Sequence, residues 1–416
     1  MNVRHIIQKG TLAVMAACAL VSCDMMKEDL SDCPTGLYVN FVYDYNIQRA
    51  DMLKDHVGGL TLYVYDESDG LVATKTMTEG QLSRYGSYIH FSEEELAPGH
   101  SYRLMAVGFQ RSALSSSGAK YRVTGNTVGT PWQQFAIDLE HQPVTRALAD
   151  YYYVDNSEPL DTLWHTLTTI TTPAALHPLE LAPSSLTPAK TEYTWMSDGT
   201  IKTNGQERVT VEEGKPSYAT VSLIRDTNHL NVTLRALNDD PADNQVADTD
   251  YTVEIYDNNS RLDCRNNLTN PEDTLVYRPY RQWITTFVGN EQVAYEQAAH
   301  YDLMFNRLVY KNASVDGDRY AVMSLDDLAK QRNAVLIIRE KSSGKIIFGL
   351  NLPYILASGR TWTERGYHYQ EYLDREYDYR LQFIIRGSRV DEIQLFLGTH
   401  VHIIPWVVRN QHETLE

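Results

Sequence analysis

Leu60-Thr61-Leu62-Tyr63-Val64-Tyr65 sets Leu60, Leu62 and Val64 on one side of an extended chain and Thr61, Tyr63 and Tyr65 on the other. That period of two is the signature of a half-buried β-strand. Asp69-Gly70 then marks a turn, and Leu71 to Thr78 reads as the returning strand of a hairpin. The same alternation recurs in Tyr102 to Phe109, Ala219 to Leu223, Leu230 to Leu234, Tyr251 to Tyr256, Tyr301 to Leu308 and Tyr377 to Ile385. Many short strands imply an all-β chain of antiparallel sandwiches. The 28 tyrosines fit, since Tyr suits a pleated surface that is wet on one side.

Helical signals are few and short. Ser324-Leu325-Asp326-Asp327 reads as a capping box opening about two turns through Gln331, and His368 to Glu376 reads as another brief helix. Pro173, Pro178, Pro183 and Pro188, followed by Gly199, Gly205, Gly214 and Pro216, break the pattern where ladder donors would be needed. A long edge loop or a linker lies there. Strong alternation resumes at Ala219, so the expected boundary falls near Lys215, giving two tandem sandwich domains over 34–215 and 216–416.

The first 22 residues are a processing signal. Arg4 and Lys9 precede an apolar run from Gly10 to Val21, too short to span about 30 Å of hydrocarbon but right for a secretory segment. The run ends in Leu20-Val21-Ser22-Cys23, which resembles the lipobox of bacterial lipoproteins. That resemblance implies a mature chain beginning at an acylated Cys23, the only covalent group expected. Met15-Ala16-Ala17-Cys18 is also lipobox-like but leaves a shorter apolar run, and an ordinary signal peptide is the other alternative. Residues 23–33 then form a lipidated tether. Within it, Lys27-Glu28-Asp29 is similar to the export signal that carries Bacteroidetes lipoproteins to the cell surface. Two or three acyl chains, at about 0.8 kcal/mol per buried methylene, hold a domain on a membrane without a spanning helix.

The formal charge of −17 becomes more negative still once Arg4 and Lys9 are removed. Such a surface repels phosphate backbones, which excludes nucleic acid as a partner. Beyond Cys18 and Cys23 only Cys33 and Cys264 remain, too few for a disulfide scaffold or a zinc site, though they are able to pair. No Gly-x-Ser-x-Gly elbow, phosphate-cradling glycine loop or His-Glu-x-x-His helix occurs. The chain therefore reads as a non-enzyme, with no catalytic or metal-binding residues assigned. Cys264 beside Arg265 has no histidine near it in sequence and reads as a structural or free cysteine, with an activated thiol the alternative. His400 and His402 share one side of a strand and read as an ordinary exposed pair. Asp239, Asp240, Asp243, Asp248 and Asp250 crowd one loop without EF-hand spacing and read as solvated, with calcium the alternative.

Asp29-Leu30-Ser31-Asp32-Cys33-Pro34-Thr35-Gly36-Leu37, then Phe41-Val42-Tyr43-Asp44-Tyr45-Asn46 and Leu60 to Asp66, closely resemble the opening of the FimB/Mfa-type fimbrial anchor lipoproteins of Bacteroides and Porphyromonas. Tyr251 to Asn258, Thr274 to Tyr280, Gln370 to Tyr377 and the Trp406 segment look like later landmarks of that family. The resemblance covers nearly the whole mature chain and is weakest from about Thr171 to Pro216. It implies two transthyretin-like β-sandwiches in a surface-exposed, lipid-anchored protein of the outer membrane that attaches a fimbria, with a fimbrial stalk subunit as partner. Relatives often carry a cysteine where this chain has Gly59, a departure that leaves Cys33 only Cys264 as a partner, or none.

Assembly by such proteins works through β-augmentation, in which one chain's strand satisfies the open edge and apolar slot of another. Val401-His402-Ile403-Ile404-Pro405-Trp406-Val407-Val408 is the donor candidate, with Val401, Ile403 and Val407 in one phase. Pro405 lacks an N–H, so this strand belongs at an edge. The alternative is that it closes its own domain. A surface protein binding glycan or host ligand, and a minor or tip fimbrial subunit, are the other functional readings.

Overall fold

A computed structural model describes residues 34–82, 88–110, 120–143, 151–172, 192–195, 201–240, 243–269, 273–287, 296–310, 333–363, 366–387, 389–397 and 400–404. The eight-stranded first sheet runs β3 (Leu71–Thr78), β2 (Gly59–Tyr65), β5 (Ser101–Phe109), β10 (Leu163–Thr172), β14 (Pro216–Arg225), β1 (Gly36–Val42), β4 (Ile89–Phe91), with β13 (Val209–Thr210) paired to β5. The expected hairpin is β2–β3. Asp66 Oδ1 accepts from Ser68 N at 2.9 Å and Gly70 N at 2.9 Å, and Asp69 takes the left-handed conformation at φ 63°. Val39 and Phe41 of β1, Val221 and Leu223 of β14, and Leu60 and Leu62 of β2 pack together in one cluster. Strands of a single sheet share such a core only when the sheet folds over on itself. The fold-over falls at β10, which pairs with β5 at its start and with β14 along its length, and whose register shifts between Thr166 and Thr168.

A six-stranded sheet, β19 (Arg281–Phe287), β20 (Glu296–Asn306), β15 (Thr227–Ala236), β23 (Asp378–Arg386), β24 (Arg389–Leu397), β25 (His400–Ile404), faces another, β22 (Ile346–Asn351), β21 (Val335–Glu340), β16 (Tyr251–Asp257), β18 (Thr274–Tyr277), β9 (Tyr151–Tyr153), β8 (Gln142–Pro143). Phe348 and Phe383 meet edge to face across this second sandwich, their ring centroids 5.5 Å apart. A three-stranded layer, β17 (Arg261–Asp263), β7 (Ala136–Leu139), β6 (Tyr121–Thr124), lies between the sandwiches, and β11 (Tyr193–Trp195) pairs with β12 (Ile201–Thr203). Most pairings are antiparallel; β1–β14, β15–β23 and β18–β9 are parallel. The architecture is all-β with short helices, α1 (Leu53–His56), α2 (Glu79–Leu82), α3 (Leu352–Ala357) and α4 (Tyr369–Arg375). The last is the brief helix read from His368 to Glu376, with His368 as its N-cap. The Ser324 capping box lies outside the described residues.

Two features depart from the sequence reading. Thr61, Tyr63 and Tyr65 do not face water: all seven residues of β2 are buried, because the three-stranded layer covers that side and Phe135 meets Tyr63 at 5.2 Å. The sheets also do not divide at Lys215. The strand that begins at Pro216 belongs to the first sheet, so the chain passes between sandwiches at Asp226, while β8 and β9, from the first half, extend a sheet of the second sandwich through β18.

Candidate functional site

β25 is the outermost strand of its sheet. It pairs with β24 in the register Leu397↔His400 to Ile393↔Ile404, and among the described residues no strand pairs with its other side. Val401 and Ile403 are opposite Phe396 and Gln394, on the outer face, and are 48% and 55% exposed. Two β-branched side chains standing in water on an open edge form a template for another strand. Val407, the third residue of the donor-strand candidate, and Cys23, the expected lipidation site, lie outside the described residues, as does Cys33. Cys264 is half-buried and among the described residues has no disulfide partner; its thiol pKa is raised, chiefly by burial and then by Asp263.

The outer face beside β25 carries a groove of about 250 Å³, lined by Thr233, His300, Arg380, Gln382 and Phe396 among others. His300 is held between Thr233 Oγ1 at 3.0 Å and Thr285 Oγ1 at 2.5 Å, and stacks on Trp283 at 5.0 Å. Burial, partly opposed by Asp302, holds this imidazole below its ordinary pKa. At the start of β15, His229 is the opposite case. Burial works against its charge, but Asp378 at 2.7 Å and Asp302 at 3.4 Å outweigh it and push the pKa up to about 9.

The join between the sandwiches was not legible in the sequence. Arg307 pairs with Asp374 through two bonds of 2.9 Å, and Arg375 pairs with Glu371 at 3.0 Å while lying 4.0 Å from the Tyr45 ring. Arg375 Nη1 donates to Asn46 O at 3.4 Å, and Ile47 N donates to Arg375 O at 3.1 Å. Asp226, buried and bonded by Asn266 Nδ2 at 2.7 Å, is pushed up to about 7 by desolvation. Apart from Glu371 and Arg375, which are four residues apart on α4, these partners lie far apart in sequence, and no local pattern announces them. Gln370 to Tyr377, quoted above as a family landmark, was the one available signal.

In the acidic loop, Asp250 Oδ2 accepts from Ala247 N at 2.8 Å and Asp239 faces Arg386 at 3.4 Å. Among the described residues no three His, Cys, Asp or Glu side chains are gathered as a metal ion needs, and no helix is long and apolar enough to cross a membrane.

Solved structures share this fold. A candidate adhesin from Bacteroides thetaiotaomicron superposes with a TM-score of 0.62 at 19% identity, covering 90% of this chain and 100% of that one. A candidate polysaccharide-binding protein from the same organism gives 0.59 at 21% identity, with 89% and 99% covered. A candidate adhesin from Bacteroides ovatus gives 0.56 at 22%, with 91% and 97% covered. No protein with a curated description matches. A family model described as fimbrillin-A associated anchor proteins Mfa1 and Mfa2 matches residues 30–180 and 204–412. With most of its length matched, the chain belongs to the fimbrillin-A associated anchor protein family.

Proposed function

We propose that this protein is a surface lipoprotein that holds a fimbria to the outer membrane through lipid on Cys23 and joins a fimbrial stalk subunit by β-strand complementation at β25. The observation that carries the reading is the open edge of β25, with Val401 and Ile403 turned outward. Such an edge gains main-chain hydrogen bonds and buried apolar area together when a partner strand arrives. The reading assigns no catalytic residue and requires no cofactor beyond the covalent lipid.

The test is a deletion strain complemented with the native chain or with Cys23→Ser. Fimbriae should move from the cell to the medium on deletion, return with the native chain, and stay in the medium with Cys23→Ser. A deletion strain that keeps all its fimbriae on the cell would refute the proposal.

A further inference from the structure

A ladder of hydrogen bonds yields to force in two ways. Pulled along the strands from opposite ends, every rung is strained at once; pulled apart at one end, the rungs break in turn, each at its own modest cost. Topology decides which applies.

β1 and β14 run parallel, from Gly36↔Pro216 to Val42↔Ser222. β14 ends at Arg225 and β15 begins at Thr227. The single residue between them cannot reverse the chain, because the commonest tight hairpin needs about two. β15 is parallel to β23, and β23 and β25 are each antiparallel to β24. Strands β1, β14, β15, β23 and β25 therefore share one sense, so the chain enters β1 at one pole and leaves β25 toward the other.

We propose that the fold is a tension-bearing link, in which a pull between the Gly36 end of β1 and the Ile404 end of β25 strains the terminal ladders in shear. The inference rests on the anchor reading, which puts the membrane upstream of β1 and the filament at β25. β1 is built for that load. It is flanked by β14 and β4, all seven of its residues are buried, and His90 Nε2 lies 2.8 Å from Thr35 O at its entry. Beyond β1, Asn46 Nδ2 donates to Tyr43 O and Ala50 O, both at 2.8 Å, and Asn46 and Ile47 are bonded to Arg375 of α4. Load on β1 thus reaches the second sandwich through α4 as well as through β14. β25 has a five-pair ladder and, among the described residues, one neighbour, so slip begins there unless a partner strand covers its open edge.

The test is single-molecule force spectroscopy on the full chain with Cys18, Cys23, Cys33 and Cys264 replaced by serine, Cys264→Ala serving if Cys264→Ser lowers the melting temperature. Handles at Thr35→Cys and Glu416→Cys pull along the strands. Handles at Thr35→Cys and Lys215→Cys, at the same end of the β1–β14 ladder, unzip it. The highest peak of the first pull should exceed that of the second several-fold. Equal or lower force in the first pull overturns the shear inference and leaves the anchor reading standing, since fimbrial retention by the deletion strain is what decides that reading.

Discussion

His229 makes stability depend on pH between neutrality and mild alkalinity. Its imidazole sits between Asp302 and Asp378, both of which have lowered pKa values because they pair with it. For Asp302, burial pulls the other way and is outweighed. The folded state holds the His229 proton up to about pH 9, whereas the unfolded chain releases it near its ordinary value of about 6.5. The stabilisation is therefore complete below the unfolded value and is lost as pH rises through the folded one. The gap corresponds to at most about 3.4 kcal/mol, which solvent screening reduces to about 2 kcal/mol. Roughly half of that, about 1 kcal/mol, disappears between about pH 7.5 and about pH 9.5. Asp226, held up to about 7, finishes titrating near the bottom of this window, whereas unfolding lets the Cys264 thiol and the buried tyrosines, all raised in the folded state, ionise near their ordinary values of about 8.5 and about 10, so the His229 share is read as the difference between the native chain and a His229 variant. Urea unfolding at the two pH values should show the loss in the native chain. His229→Gln, which keeps an N–H but no charge, should lose about 1 kcal/mol less over the same span. A variant whose midpoint falls as steeply as the native one would refute the assignment.

Three other outcomes follow from the geometry. Gly36 has φ 82°, and a Cβ there would overlap the Phe91 carbonyl, so Gly36→Ala should cost more than about 2 kcal/mol in denaturant unfolding. Asp374→Ala strands the buried Arg307 charge and should cost about 3–5 kcal/mol, measured the same way. Ile403→Lys should change stability by less than about 0.5 kcal/mol, since the side chain stands in water, yet release fimbriae from the cell fraction in a sedimentation assay.

What the sequence made legible was set by local chemistry. The β2–β3 hairpin, β5, β16 and α4 come from periodicity, a turn dipeptide and a cap, all contained within a few residues. The covering of Tyr63 and Tyr65 was hidden, because the layer that buries them is assembled from residues 121–139 and 261–263. A run with apolar residues on one side and tyrosines on the other reads the same whether the tyrosines meet water or Phe135. The passage between sandwiches was hidden for a related reason. The proline- and glycine-rich stretch interrupts the first sheet between β10 and β14, while the true crossing is the single residue Asp226, in the short polar gap between the runs Ala219 to Leu223 and Leu230 to Leu234. Of the candidate site, the outward phase of Val401 and Ile403 was readable, but the pairing of Arg307, Asp374, Arg375 and Asn46 depends on tertiary proximity.

The placement of β8 and β9 has a consequence for how the molecule is made. A chain that has emerged only as far as Arg225 has every strand of the first sheet, but its β7 lacks β17 and its β9 lacks β18. The layer that seals Tyr63 and Tyr65 would then be incomplete, leaving an aromatic surface open until the remainder arrives. Genes split at the proline-rich segment should accordingly yield two sticky fragments, and the intact chain should mature in a single late event after most of it has been made.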